Sequence, residues 1–286
     1  MSWNDYEKPK SLSDALTALE QAAGKGRVIA GGTDLILQLR QGQQRADLLV
    51  DITGIDELKK IGEEGGWIRI GAAVTHAEVA KHSLIQKEAA ALAQGCARVG
   101  SPQIRNVATL LGNVISAKPA GDGAVPLMAL EAEIRVVSKA GERVVPLEQA
   151  YRGIGFSSID ASSEVATEVR FRKAGERGRT TFFRMARRKA LTLPVVNGAV
   201  SILWNPSMTR LEEARIALGP VSEKPFRPKR AEAHLLSKEI SPQLIHETAR
   251  IASEETNPRT SVLRGSDSYR KEMIRVYLAR ALRELL

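Results

Sequence analysis

The chain has 286 residues, 43% of them hydrophobic and 26% charged, an ordinary globular composition long enough for two or three domains. Forty-two Lys and Arg against thirty-three Asp and Glu leave a net charge of +9, which raises nucleic-acid binding as one reading. Aromatic residues make up only 4%, too few for base-stacking platforms, so an anionic cofactor or a protein partner accounts better for the positive field.

No stretch approaches the ~18 uninterrupted apolar residues of a membrane span. The opening MSWNDYEKPK lacks the apolar core and small-residue cleavage site of a secretory signal. A cytoplasmic chain is expected. The single cysteine, Cys96, excludes an internal disulfide, a CxxC redox pair and a four-cysteine iron–sulfur site. It reads as a buried structural cysteine, with a nucleophile as the alternative. His76, His82, His234 and His246 are scattered, without the i, i+4 spacing of a helical zinc site. His76 is expected at the surface, in a helix's first turn. Any redox chemistry therefore falls to an organic cofactor.

In chain order, SLSDALTALEQAAG reads as a helix that Ser13 caps, and residues 27–30 as a strand. A helix from about Asp34 and a strand in ADLLVDI complete a β–α–β arrangement. LKKIGEEGGWIRIGAAVT is expected to form a hairpin turning at Glu64-Gly65-Gly66, followed by a helical pair over about 75–98. A second hairpin turns at Lys139-Ala140-Gly141, and SSEVATEVRF supplies a further strand. The charged connector KAGERGRT, residues 173–180, marks a domain boundary. Beyond it come a buried apolar strand ending in VVNGAVSILW, a strand and helix around a Gly-Pro turn, and two closing helices. The last spaces Met273, Ile274, Val276, Tyr277, Leu278 and Leu282 helically, which assigns its arginines to a solvated face. The fold class is α+β.

Two small-residue loops carry the chemistry. In RVIAGGTDLILQLR a strand runs through Gly31 and Gly32 into a helix start, where backbone N–H groups suit an anion. The alternative is a tight turn, with Thr33 or Asp34 capping the helix. The pattern is neither a three-glycine dinucleotide fingerprint nor a P-loop. The second stretch, RNVATLLGNVISAKPAGDGAVPLMALEAEI, combines Thr109, Gly112, Asn113 and Ser116 with a Pro-Ala-Gly-Asp turn before a helix opened by Pro126. Together the loops can supply donors to a diphosphate from two sides. Asp122 suits a ribose or ribityl hydroxyl, or else an Asx turn or cap.

AGGTDLILQLR, QIRNVATLLGN, AKPAGDGAVPLMAL, FFRMARRKALTLPVVNGAV and RGSDSYRKEMI, in that order, resemble the FAD-binding medium subunit of molybdenum hydroxylases. That family includes xanthine dehydrogenase and the aerobic carbon monoxide dehydrogenase flavoprotein. The resemblance runs from about residue 5 to about residue 280 and is nearest to the separate-chain bacterial xanthine dehydrogenase form. It implies a two-part FAD domain of the vanillyl-alcohol-oxidase type, residues 1–56 and 57–175, followed by a C-terminal α+β domain, 176–286.

By the family's pattern, Arg27, Val28, Ile29, Ala30, Gly31, Gly32, Thr33 and Asp34 would cradle the FAD diphosphate from one loop. Thr109, Leu110, Leu111, Gly112 and Asn113 would cradle it from the other. Asp122 would meet the cofactor's sugar or ribityl hydroxyls. Val165 falls where the family places an apolar cofactor contact, and Arg184 where many members carry a basic residue beside the flavin. Ordinary strand core and a solvated charge are the alternatives for these two. One departure stands out: the family usually reads Thr-x-Gly-Gly-Asn, and here Leu111 replaces the first Gly. Its side chain either narrows the cleft, in which case Leu111→Gly tightens FAD, or points away. Members with an inserted iron–sulfur site need several cysteines, which excludes that variant here.

The implied role is electron transfer. A molybdenum subunit would oxidise substrate, and a small subunit with two 2Fe–2S clusters would deliver electrons singly to FAD, which passes pairs to NAD+ or another acceptor. No catalytic side chain and no metal ligand are expected on this chain. Two other classes stay open. A self-contained flavin oxidoreductase would turn over without partners, and an assembly protein that has lost FAD follows if Leu111 closes the cleft.

Overall fold

The computed structural model describes residues 3–236 and 238–286. Its first elements are β1 (Asp5–Glu7), α1 (Leu12–Gln21), β2 (Gly26–Ile29), α2 (Leu35–Arg40), β3 (Leu48–Asp51), β4 (Ile61–Glu64) and β5 (Trp67–Gly71). The short helices α3 (His76–Lys81), α4 (Ser83–Glu88), α5 (Ala90–Cys96), α6 (Pro102–Arg105), α7 (Leu110–Ile115) and α8 (Ala124–Ala129) follow. Next come β6 (Glu133–Ser138), β7 (Gly141–Pro146), β8 (Tyr151–Gly153), β9 (Phe156–Ser157) and β10 (Glu164–Arg172). The chain closes with β11 (Gly178–Ala186), β12 (Pro194–Trp204), β13 (Leu211–Gly219), α9 (Lys229–Leu235), α10 (Pro242–Glu255) and α11 (Asp267–Leu285).

These elements form two compact units, each discontinuous in sequence. The first takes residues up to Val79, Pro102–Ala117 and Ala132–Arg172; the second takes Ala80–Ser101, Lys118–Glu131 and Lys173–Leu286.

The first unit opens with a parallel sheet in the order β1-β3-β2. Helix α1 buries Ala15, Leu16, Ala18 and Leu19, the i, i+3, i+4 stripe of an amphipathic helix. Its cap is Ser11 and not the expected Ser13. Ser11 has the extended backbone a cap needs (φ −131°, ψ 156°) and accepts the Asp14 N–H. Ser13 already lies inside the helix, where its carbonyl accepts from the Thr17 hydroxyl at 2.9 Å.

An antiparallel sheet follows, in the order β4-β5-β10-β6-β7. Both expected hairpins are present. Glu64 pairs with Trp67 across Gly65 and Gly66, whose φ of +58° and +76° suit a tight turn made of glycines. Ser138 pairs with Gly141 across the second turn. Strand β10 lies at the centre, its alternating burial placing Val165, Val169 and Phe171 in the core. The other face carries ion pairs, Arg69 with Glu64, Arg170 with Glu133 and Arg135 with Glu142.

In the second unit β11, β12 and β13 form an antiparallel sheet. β12 is buried along nearly its whole length, as its apolar run requires. Ile274, Leu278 and Leu282 of α11 and Leu244, Ile245 and Ala249 of α10 join the core formed with this sheet. The helical pair expected over 75–98 is instead the three short helices α3, α4 and α5, because His82 is extended (ψ 124°) and Ala89 is non-helical (φ −146°, ψ 56°), which breaks the run. The closing helix departs from expectation at one arginine. Arg270 is 2% exposed, because its guanidinium donates to the carbonyls of Val195 at 3.2 Å, Arg259 at 2.8 Å and Pro220. Among the described residues, no helix is long and apolar enough to cross a membrane.

Candidate functional site

The two glycine loops of the sequence meet within the first unit. A Cβ at Gly31 would stand 2.2 Å from the Val107 carbonyl oxygen and 2.8 Å from the Ala108 Cα. Only a residue without a side chain lets these backbones approach so closely. Gly32 is required for a second reason. It has φ +66°, and a Cβ there would lie 2.9 Å from Ile29 Cδ1. The loop's own packing therefore explains both glycines.

The first α2 ladder bond runs from Ile36 N–H to Gly32 O at 3.0 Å, so the N–H groups from Gly32 to Leu35 precede the helical ladder. Asp34 occupies the cap position, and its side chain makes no capping hydrogen bond. At the other end, Val28 N–H donates to the Ala161 carbonyl at 2.9 Å, and Arg27 Nη1 donates to the Gly26 carbonyl at 3.1 Å. Ala30 and Thr33 are half-buried, and Ile29 is buried.

The second loop is pinned by a strand-like contact with residues 74–76. Leu110 N–H donates to the Val74 carbonyl at 3.1 Å, and His76 N–H donates to the Ala108 carbonyl at 3.0 Å. The 74–76 segment is itself held by a capping box, in which Thr75 N–H reaches Glu78 Oε2 at 2.7 Å and Glu78 N–H reaches Thr75 Oγ1 at 3.3 Å. Thr109 caps α7 by accepting the Gly112 N–H at 3.1 Å, which leaves the Leu111 N–H ahead of the ladder. Asn113 follows with a buried amide oxygen that has no hydrogen-bond partner. Such a group carries a desolvation penalty of about 1–3 kcal/mol until something fills its place. Turned by 180° about its last torsion, the same amide presents two N–H groups. Backbone donors ahead of α2 and α7, with an unpartnered amide oxygen on α7 that a flip turns into donors, suit an anionic ligand such as a diphosphate.

Leu111 resolves the family departure against the narrowing that the sequence suggested. Its side chain is 1% exposed, among the largest fully buried in the protein. An apolar side chain at a helix start lowers the free energy most by leaving water, so the loop turns it inward. Val165 is likewise buried, at 0% exposure, on β10 opposite Val137.

Asp122 and Arg184 lie in the second unit and find each other. Arg184 Nε donates to Asp122 Oδ2 at 2.9 Å, with side-chain exposures of 9% and 8%. Asn197 Nδ2 donates to the other carboxylate oxygen at 2.7 Å. Arg184 is therefore no solvated charge: its Nη2 also reaches the Thr192 carbonyl. Burial raises the Asp122 carboxyl above its ordinary range, and Arg184 and Asn197 pull it back. Asn197 was missed from the sequence, although an amide side chain in the apolar run PVVNGAVSILW was a usable signal.

Cys96 is buried, and burial followed by the Asp122 charge pushes its thiol well above the ordinary range; a protonated, inaccessible thiol is no nucleophile. His76 does open a helix but is 0% exposed, not at the surface. Burial, with the Arg105 charge second, brings its pKa to about 4, so it is neutral at pH 7. Among the described residues, no group of three or more His, Cys, Asp or Glu is placed to hold a metal ion.

Two stability measurements check this geometry. Leu111→Gly is expected to destabilise the protein by about 2–5 kcal/mol through the cavity it opens, without tightening cofactor binding; calorimetry and titration read the two effects separately. Asp122→Ala strands a buried guanidinium and is expected to cost about 3–5 kcal/mol, read as a lowered urea midpoint. An unchanged midpoint would place the pair outside the fold's framework.

Comparison with known proteins gives this geometry its family. A profile described as FAD binding domain in molybdopterin dehydrogenase matches residues 2–171. A second, described as CO dehydrogenase flavoprotein C-terminal domain, matches residues 181–285. The nicotinate dehydrogenase FAD-subunit of Eubacterium barkeri is 29% identical over 283 residues, 94% of this chain and 92% of the relative. The xanthine dehydrogenase FAD-binding subunit of Escherichia coli O157:H7 is 27% identical, over 98% of this chain and 94% of the relative. Among solved structures, a carbon monoxide dehydrogenase chain from Hydrogenophaga pseudoflava superposes with a TM-score of 0.90 at 26% identity, covering 98% of this chain and 96% of that one. The first profile spans more than half of the sequence, and the two loops that meet at Gly31 lie inside it. The chain belongs to the FAD-binding medium subunits of the molybdenum hydroxylase family.

Proposed function

We propose that this chain carries electrons from 2Fe–2S clusters of a partner subunit, through its FAD, to NAD+ or another acceptor. In this reading a molybdenum-cofactor large subunit oxidises the organic substrate, and a small 2Fe–2S subunit feeds the flavoprotein. The observation that carries the reading is the two-loop cradle, where Gly31 admits the Val107 carbonyl and Asn113 offers an orphaned amide. FAD, when bound, supplies an adapter between single-electron donors and a two-electron acceptor.

The chain's own residues bind and orient. N–H groups ahead of the two helical ladders, at Gly32, Thr33, Leu35 and Leu111, would hold the diphosphate, and the Asn113 amide would meet a phosphate oxygen or a sugar hydroxyl. Thr109 shapes its loop through the bond to Gly112. Arg27 to Asp34 and Thr109 to Asn113 would form the cradle. By the family's pattern Val165 falls at an apolar cofactor contact, Asp122 where the cofactor's sugar or ribityl hydroxyls are met, and Arg184 at a basic residue beside the flavin. Residues 1–56 and 57–175 are the two parts of a vanillyl-alcohol-oxidase-type FAD domain, with 176–286 as the C-terminal domain. The place of action is the cytoplasm, since one cysteine asks for no oxidising compartment. The inward Leu111 side chain removes the feature that favoured a protein without FAD.

Two measurements test the reading. Gly32→Val strains the loop by about 1–3 kcal/mol and is expected to weaken FAD binding roughly tenfold or more, read by titration of the apo-protein. Affinity equal to wild type would reduce Gly32 to a turn residue. The FAD-loaded chain alone is expected to oxidise no organic substrate, and its flavin to be reduced by that substrate only when the molybdenum and cluster-bearing subunits are added; reduction by NADH needs no partner. Substrate turnover by the isolated chain would establish a self-contained oxidoreductase instead.

A further inference from the structure

Strands β11, β12 and β13 set three residues in one row across their sheet, Arg184 opposite Asn197 and Asn197 opposite Gly219. Directly paired residues of an antiparallel sheet share a face, and here that face meets the turn of residues 119–122. Arg184 Nε donates to Asp122 Oδ2 at 2.9 Å. Asn197 Nδ2 donates to Asp122 Oδ1 at 2.7 Å and to the Ala120 carbonyl at 3.3 Å. Gly219 contributes by having no side chain: a Cβ there would stand 2.5 Å from the Pro119 carbonyl oxygen and 2.7 Å from Asn197 Oδ1.

The Asn197 amide has one workable orientation. A carboxylate and a carbonyl both face its nitrogen, and a flip would set an oxygen against each of them. Held this way, Asn197 Oδ1 stays buried without a hydrogen-bond partner, a penalty that an apolar residue at this place in β12 would not carry. What the amide achieves is seen at Asp122. An ionised carboxylate has about four acceptor sites, and one donor at each oxygen leaves each with a further site. The Asp122 side chain also keeps 8% of its surface exposed, so the carboxylate is fixed in place without being closed off.

We propose that Asn197 and Gly219 are positioning residues for the cofactor, which together hold the 119–122 turn against the sheet so that Asp122 presents its carboxylate to a hydroxyl of FAD. The inference rests on the reading above that Asp122 meets the cofactor's sugar or ribityl hydroxyls. A hydroxyl binds an ionised carboxylate more strongly than a neutral acid, so the charge state of Asp122 matters. Burial raises its carboxyl above the ordinary range, while the Arg184 charge, the Asn197 bond and the Arg98 charge pull it down; the neighbouring Cys96 thiol stays protonated. Removing the Asn197 donor therefore raises the carboxyl further. Asp122 then takes up its proton at a higher pH, and FAD affinity begins to fall at a higher pH on acidification.

The test titrates FAD into the full apo-protein across a range of pH, with a melting curve for each form: wild type, Asn197→Leu, Gly219→Ala and Asp122→Asn. Asn197→Leu keeps the branched shape and removes the donor. It is expected to bind FAD about tenfold more weakly at pH 7 and to lose affinity on acidification about one pH unit above wild type. A residue that only filled the core would move the melting temperature and leave that pH dependence in place. Gly219→Ala keeps the amide but displaces the turn, and is expected to weaken FAD by a similar factor. Wild-type affinity in either folded variant, or weakening of Asn197→Leu without the pH shift, overturns the proposal. Weakening of Asp122→Asn in the same titration then leaves the reading of Asp122 standing, whereas wild-type affinity in Asp122→Asn overturns both. Failure of both Asn197→Leu and Gly219→Ala to fold assigns the row to the framework alone and overturns the proposal. Wild type that binds no FAD overturns it together with the electron-transfer reading.

Discussion

A carbonyl oxygen and a methyl group cannot share a space, and the Val107 oxygen stands 2.2 Å from where a side chain at residue 31 would begin. The cradle depends on that exclusion. Gly31 brings the end of β2 against the segment before α7, and two stretches some seventy-five residues apart in sequence become one surface. Everything around the contact keeps it in place. Val74 and Ala108 exchange backbone bonds with Leu110 and His76, the Thr75–Glu78 box fixes the turn behind them, and Thr109 sets the direction of α7. Helix starts at both sides then present N–H groups that the helices cannot use themselves.

The second unit is organised by a different constraint, the housing of buried charge. Asp122 is held by Arg184 and Asn197, and Glu232 by Arg227 at 2.7 Å together with the Ile216 N–H at 2.9 Å. Such pairs add little net stability over apolar packing, but each fixes its surroundings, because breaking one leaves a charge without solvent. Arg270 solves the same problem without a carboxylate. Three carbonyls take its donors, and in doing so they join the starts of two loops to the closing helix. One positive charge of the +9 is thus structural in use, although in composition it reads as part of a signal for an anionic partner.

Function in this family is divided between chain and cofactor. The polypeptide shows a cradle of backbone donors, an orphaned amide and buried, neutral groups such as His76 and the Cys96 thiol. A flavin carries its own reactivity, so its protein needs binding, orientation and access more than acid–base side chains. A candidate site marked by glycines and caps accords with that division.

Local pattern was enough for much of this. The amphipathic stripe of α1, the two hairpin turns and the buried run of β12 follow from periodicities of one or two elements, which depend on nearest neighbours in sequence. The two glycine loops were legible for the same reason, and their order along the chain pointed to the family. What lay beyond reach depended on contacts between distant segments. The orientation of Leu111, the burial of His76 and Arg270, and the pairing of Asp122 with Arg184 and Asn197 are each decided by which surface another part of the chain brings up. Even the reason for Gly31 belongs here: its sequence context shows a residue without a side chain, and only the Val107 carbonyl, arriving from the other loop, shows why none can be there.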